Sequence, residues 1–260
     1  MSADLSKPLL KVDNINKQFG STVACDDISF ELWPGEILGI VGESGSGKTT
    51  LLRSIAGLIE PDSGSISYAG DGELVEVDKL PEPALRQLQR TEWAFVHQHP
   101  RDGLRMNVSA GANIGERLMA NQWRHYANIR AEALKWLEAV EIDASRIDDL
   151  PRTFSGGMQQ RLQIARNLVT RPKLVFMDEP TGGLDVSVQA RLLDLVRGLV
   201  RDLGLSAIIV THDLAVARLL STRMMVMRKG EVIEQGLTDQ ILEDPQAPYS
   251  QLLVSSVLQV

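Results

Sequence analysis

Residues 36–49 read Glu36-Ile37-Leu38-Gly39-Ile40-Val41-Gly42-Glu43-Ser44-Gly45-Ser46-Gly47-Lys48-Thr49. The first six residues form a compact apolar run, the pattern of a strand buried on both faces. The run breaks into a loop, and residues 49–57 then read as a helix. Gly42-x-x-x-x-Gly47-Lys48-Thr49 between strand and helix is the P-loop pattern. Its glycines let the backbone curl so that successive N–H groups point at phosphate oxygens. The helix that follows adds the positive end of its dipole. Gly42, Glu43, Ser44, Gly45, Ser46, Gly47, Lys48, Thr49 and Thr50 are therefore the candidate phosphate-binding set. Lys48 is expected at the β- and γ-phosphates of a nucleotide, and the Thr49 hydroxyl on magnesium.

A second apolar run, Leu174-Val175-Phe176-Met177, ends in Asp178-Glu179. Beside a P-loop, Asp178 is placed to hold magnesium through water, and Glu179 to act as general base on an attacking water. Further strands are expected at 9–15, 28–33, 65–68, 93–96 and 207–210. A hairpin is expected where 224–227 and 231–234 flank Lys229-Gly230. Helical patterns cover a stretch including Leu85 and Leu88, then 108–140, 186–203 and 213–220. Within them Ile129, Ala133, Trp136, Leu137 and Val140 share one face, as do Leu192, Leu195, Val196 and Leu199. The alternation predicts an α/β fold with a mainly parallel sheet, its ligand beyond the carboxyl ends of the strands.

Bulk composition narrows the function classes. A formal net charge of -7 argues against a nucleic-acid partner, whose binding domains usually present a basic surface. The single cysteine, Cys25, permits no internal disulfide and fits a reducing compartment. Met1–Lys17 mixes Asp4, Lys7, Lys11 and Asp13 with few apolar residues, unlike a signal peptide. No apolar run approaches the ~20 residues of a spanning helix. A cytoplasmic location without direct membrane insertion is expected, with any membrane connection made through another subunit.

Phe154-Ser155-Gly156-Gly157-Met158-Gln159-Gln160-Arg161 resembles the signature motif of ATP-binding-cassette (ABC) ATPases. Phe154 and Met158 depart from that motif's usual Leu and Gln, while Ser-Gly-Gly is intact. Ser155 is a good helix N-cap. The resemblance extends over about residues 9–245. It implies that Gln98 senses magnesium and the attacking water, that Leu184-Asp185 crosses a dimer interface, and that His212 touches the γ-phosphate. It places Phe19 where an aromatic stacks on adenine, though without the usual hydroxyl. The fold implied is a P-loop NTPase of ABC type, with a RecA-like core, an antiparallel β-subdomain and an inserted helical subdomain. Residues 1–260 would form a single cassette, with its core and tail in 1–97 and 166–260 and the helical subdomain with the signature in 98–165. The activity implied is hydrolysis of ATP to ADP and phosphate with Mg2+, in a homodimer. Each ATP would lie between the P-loop of one copy and Ser155-Gly156-Gly157 of the other.

Two branches of the family share features with the chain. Residues 90–104 and 108–119 resemble the ATP-binding subunits of bacterial carbon–phosphorus lyase systems. That resemblance implies phosphonate catabolism, docking on a soluble lyase core complex, and a second ABC subunit as a further partner. Within the helical insert, residues 100–126, with Trp123, Arg124, His125 and Tyr126, are the candidate docking region. Pro245-x-x-Pro248-Tyr249-x-x-Leu252-Leu253 and residues 178–190 instead resemble importer ATPases for peptides and nickel. The lyase-system resemblance is the stronger of the two, and the alternative is the ATPase subunit of a peptide, nickel or phosphonate importer. A nucleic-acid-associated cassette is disfavoured by the lone P-loop and the acidic balance.

Overall fold

The computed structural model describes residues 7–70 and 72–257, so the part of the N-terminal reading before Lys7, Asp4 included, lies outside the described residues. In chain order the strands and helices are β1 (Leu10–Phe19), β2 (Thr22–Leu32), β3 (Ile37–Val41), α1 (Lys48–Ile55), β4 (Ser63–Tyr68), β5 (Val75–Glu76) and α2 (Glu82–Thr91). Then come β6 (Trp93–Val96), α3 (Pro100–Gly103), α4 (Ala110–Ala120), α5 (Tyr126–Ala139), α6 (Gly156–Leu168), β7 (Leu174–Asp178) and α7 (Val186–Leu203). The chain ends with β8 (Ser206–Thr211), α8 (Leu214–Leu220), β9 (Arg223–Arg228), β10 (Glu231–Leu237), α9 (Thr238–Glu243) and α10 (Pro248–Val257). Residues up to Leu85 and from Gly204 onward form one compact unit, and Arg86–Leu203 a second.

In the first unit β2, β1, β4 and β5 make an antiparallel sheet, the expected β-subdomain. Register shifts along the β1–β2 pair mark bulges that tighten the local twist. Cys25 is buried on β2, and desolvation pushes its thiol up to about 12. Strand β3 runs parallel to both β8 and β9, and β10 returns antiparallel on β9 as the expected hairpin. Leu38, Ile40 and Val41 are buried on β3, each worth roughly 1.5–3 kcal/mol of hydrophobic stabilisation. Gly39 is small for a reason, since a Cβ there would stand 2.7 Å from Ser221 Oγ. The carboxyl end of β3 packs in a cluster of Val41, Leu214, Met224, Val226, Ile241, Tyr249 and Val254, which docks α8, α9 and α10.

In the second unit β6 and β7 pair in parallel, from Trp93 with Leu174 to Val96 with Met177. Trp93 meets Phe176 edge-on, ring centroids 5.3 Å apart. Helices α4, α5 and α6 pack on one another, and Ile129, Ala133, Trp136, Leu137 and Val140 are buried as their spacing predicts. The helical stretch 108–140 is interrupted. Gln122 takes a left-handed φ of 67°, and the Trp123 N–H reaches back to the Leu118 carbonyl at 3.1 Å, a helix-ending turn. Helix α7 buries Leu192, Leu193, Val196 and Val200, while Leu195 and Leu199 are half-buried. The predicted stripe holds at Leu192 and Val196, while Leu193 and Val200 take the buried places expected for Leu195 and Leu199. Leu195 lines an open cavity of about 480 Å³ with Glu141, Arg191 and Asp194.

Candidate functional site

The first unit carries the loop 42–47. Gly42, Gly45 and Gly47 have φ of 148°, 80° and 103°, conformations that side-chain-bearing residues rarely adopt. At Gly42 and Gly47 space forbids side chains as well. A Cβ on Gly42 would lie 2.1 Å from the Met227 carbonyl oxygen, and one on Gly47 would lie 1.9 Å from that of Ala24. The loop is braced through backbone bonds, because the Gly230 N–H donates to Ser46 O at 2.9 Å and the Asp26 N–H to Gly230 O at 2.8 Å. Gly47 caps α1 with no side-chain bond, and no acidic residue stands in the first turn, so the helix start is suited to an anion. Lys48 is buried, and its ammonium donates to the carbonyls of Gly42 (2.7 Å) and Glu43 (2.8 Å). That places a cation across the loop mouth. The arrangement fits a phosphate chain.

His212 emerges beside this loop. Val41 and Thr211 are register partners on the parallel strands β3 and β8, so Gly42 and His212 leave adjacent carboxyl ends. His212 is exposed. Asp213 next to it caps α8, accepting from the Ala215 N–H at 2.8 Å, and its own N–H donates to Thr211 Oγ1 at 3.0 Å. This double turn fixes the backbone on either side of the imidazole. Phe19 ends β1, 51% exposed, with Lys17 Nζ 5.4 Å from its ring centroid. One face of the ring is thus covered by the Lys17 ammonium.

The second unit carries the carboxylates and the glutamine. Val96 and Met177 are partners on β6 and β7, so Gln98 and Glu179 each follow two residues past a shared rung. Asp178 is fully buried and Glu179 is nearly so. Glu179 has a φ of 46°, a left-handed backbone uncommon for a residue with a side chain and concentrated at functional sites. Its carbonyl accepts from the Gly182 N–H at 2.9 Å. A Cβ on Gly182 would stand 3.5 Å from Gln98 Cγ and Nε2, so this turn and Gln98 lie together.

Ser155 caps α6, its Oγ accepting from the Met158 N–H at 3.3 Å, and Ser155 and Gly156 are exposed. Their neighbour is the start of α7. A Cβ on Gly157 would come within 2.5 Å of Val188 Cγ1, and one on Gly156 would lie 3.8 Å from Leu184 Cδ2. Asp185 accepts from Ser187 Oγ (2.8 Å) and the Val188 N–H (2.9 Å), bonds that hold its carboxyl below the usual range. It is thus the local N-terminal cap of α7. Val186 beside it is 84% exposed. Ser155, Gly156, Asp185 and Val186 consequently share one exposed face.

Two contacts beside these residues have no counterpart in the sequence motifs. Tyr249 on α10 accepts at its hydroxyl from the Glu43 N–H at 3.3 Å, and Arg228 lies 4.7 Å over its ring, joining the chain's tail to the phosphate loop. Gln163 on α6 bonds both backbone groups of His97, next to Gln98. Gln163 shares its face of α6 with the buried amides Gln159, Gln160 and Asn167, and a polar face gives no sequence signal of burial. Nothing local signals the contact of Tyr249 with Glu43.

Comparison with known proteins agrees with this geometry. The ABC transporter family model matches residues 25–182, and the chain belongs to that family. It is an α/β P-loop NTPase of the ATP-binding-cassette type, an ATPase. Among individual relatives it is similar to a protein of Escherichia coli K12 provisionally named phosphonates utilization ATP-binding protein PhnK. The two are 66% identical over 98% of this chain and 100% of that one. Identity to the E. coli K12 dipeptide transport ATP-binding protein DppF is 35%, covering 98% of this chain and 78% of that protein. The solved post-hydrolysis dimer of the cassette MJ0796, bound to ADP and Pi, superposes with a TM-score of 0.78. That cassette is 29% identical, with 88% of this chain and 98% of the other covered.

Proposed function

We propose that this chain is the ATP-hydrolysing cassette of a phosphonate-degrading system, closing as a homodimer around ATP and docking on a soluble carbon–phosphorus lyase core. The observation that carries the phosphonate assignment is 66% identity across the whole length of a relative named for phosphonates utilization, against 35% for a dipeptide transport cassette. The exposed face of Ser155, Gly156 and Val186 supports a dimer, because it offers a helix start and an apolar residue to a second copy. The corner Trp123-Arg124-His125-Tyr126 is exposed throughout, which suits the docking role. A second ABC subunit is a further partner, and the subdivision into core (1–97, 166–260) and helical insert (98–165) follows the same reading. Among the described residues no helix is long and apolar enough to cross a membrane, in keeping with work in the cytoplasm.

In this reading the loop 42–50 binds the triphosphate, Phe19 stacks on adenine, and Ser155, Gly156, Gly157 and Asp185 complete the site of the partner copy. Thr49, Gln98 and Asp178 hold Mg2+. Hydroxyl, amide and carboxylate oxygens are the hard donors this ion prefers, and it is commonly bound by one or two carboxylates plus phosphate. When bound, the ion neutralises charge on the β- and γ-phosphates. Glu179 orients the attacking water and takes its proton, and His212 steadies the γ-phosphate.

The test is recovery of the tagged full-length chain from its host grown with a phosphonate as sole phosphorus source. Soluble subunits with phosphonate-cleaving activity should co-purify. Recovery of membrane permease subunits alone would assign the chain to an importer instead.

A further inference from the structure

Parallel pairing of β6 and β7 ends at Val96 with Met177, so the backbone of His97 lies past the ladder. Its N–H and C=O need other partners, because backbone polar groups removed from water must be paired. One side chain supplies both. Gln163 Oε1 accepts from the His97 N–H at 2.7 Å, and Gln163 Nε2 donates to the His97 carbonyl at 3.1 Å. The second amide hydrogen goes to Gln160 Oε1 at 3.0 Å. Gln163 is 0% exposed, so its carboxamide has one orientation that satisfies all three bonds.

The His97 carbonyl and the Gln98 N–H belong to one rigid peptide plane. Holding that carbonyl therefore sets the direction in which Gln98 leaves the strand. At the other end, Gln163 lies seven residues after Gly156, two turns and about 10 Å along the same face of α6. The helix is anchored at its start as well, since Gln159 Nε2 donates to the carbonyls of Pro151 and Phe154, both at 3.0 Å. The approach to Gln163 is kept open by Gly103, where a Cβ would stand 2.4 Å from Gln163 Oε1.

We propose that Gln163 is a positioning residue for hydrolysis: it clamps the peptide that aims Gln98 and ties that loop to the helix bearing Ser155-Gly156-Gly157. This rests on the reading of Gln98 as a magnesium- and water-sensing group. Gln163 acts through the His97 peptide on Gln98.

The test is a double-mutant cycle on the full-length protein. Gln163→Met keeps the volume and removes the clamp. It is expected to lower kcat about tenfold, the scale seen when the partners that orient a metal-site group are lost. The Mg2+ concentration for half-activation should rise, while ATP affinity stays at the wild-type value. Gln98→Ala should also lower kcat, and adding Gln163→Met to it should cost nothing more. Gly103→Ala displaces the Gln163 carboxamide without altering α6, and it should reproduce Gln163→Met and decide the matter if that variant does not fold. Wild-type kcat in the Gln163 or Gly103 variant, or losses that multiply with Gln98→Ala, would overturn the proposal. Wild-type kcat in Gln98→Ala alone would instead overturn the role of Gln98, and the clamp's purpose with it.

Discussion

The chain has two glycine-rich helix starts, and they need their glycines for different reasons. At the first, the protein itself excludes side chains. Gly42 and Gly47 face the Met227 and Ala24 carbonyls at distances no Cβ tolerates, with positive φ besides. At the second, Gly157 is likewise crowded, by Val188 Cγ1 at 2.5 Å, but Gly156 lies in an ordinary helical turn, and its Cβ would make only a normal contact at 3.8 Å with Leu184. The chain's own packing does not require glycine at 156. Glycine there suits a group approaching from solvent, and an exposed helix N-terminus suits an anion. The P-loop glycines are imposed from within, whereas the chain's own packing leaves Gly156 unconstrained.

The largest expected effect separates chemistry from both surfaces. Glu179→Gln should keep ATP affinity and lower kcat about 10³-fold, within the range for loss of a general base. It should also accumulate an ATP-dependent dimer in gel filtration. Normal turnover would remove Glu179 as the base. Next, Gly47→Ala should weaken ATP binding about 100-fold, equivalent to ~3 kcal/mol, as measured by titration calorimetry. Affinity unchanged there would mean that the loop tolerates a side chain where Ala24 O stands. Gly156→Ala is the smallest change and the sharpest contrast. Ala favours a helix over Gly by roughly 0.5–1 kcal/mol, so Tm should hold or rise slightly. Yet kcat should fall about tenfold through misplacement of the second copy's ATP. A parallel loss of Tm would show instead that Gly156 is needed by the fold.

Much of this contrast was readable from sequence. The runs Ile37–Val41 and Leu174–Met177 are buried strands because their residues are apolar on both faces, and the glycine spacing of 42–47 can serve few other purposes. The surface of α7 was less legible. Its leucines and valines fill two adjacent stripes, and only packing decides that Leu193 and Val200 are buried while Leu195 and Leu199 are half-exposed. The break at Asn121–His125 escaped because no Gly or Pro marks it, and Gln122 supplies the left-handed turn instead. The bonds of Gln163 to His97 and of Tyr249 to Glu43 join residues far apart in the chain. No local period encodes such pairs. The left-handed backbone of Glu179, just past β7, was not legible, since an acidic residue gives no hint of positive φ.

The central claim is that the two glycine-rich motifs complete one another across copies. Lys48→Ala removes the phosphate-facing cation, and Ser155→Arg fills the second surface. Each variant alone should be inactive. In a two-fold dimer, mixing them after dissociation should give half heterodimers, each with one intact pairing, and so about a quarter of wild-type ATPase activity. Recovery near that fraction, rising and falling with the mixing ratio, is the predicted result. No recovery from two inactive but folded and freely exchanging variants would contradict the shared site.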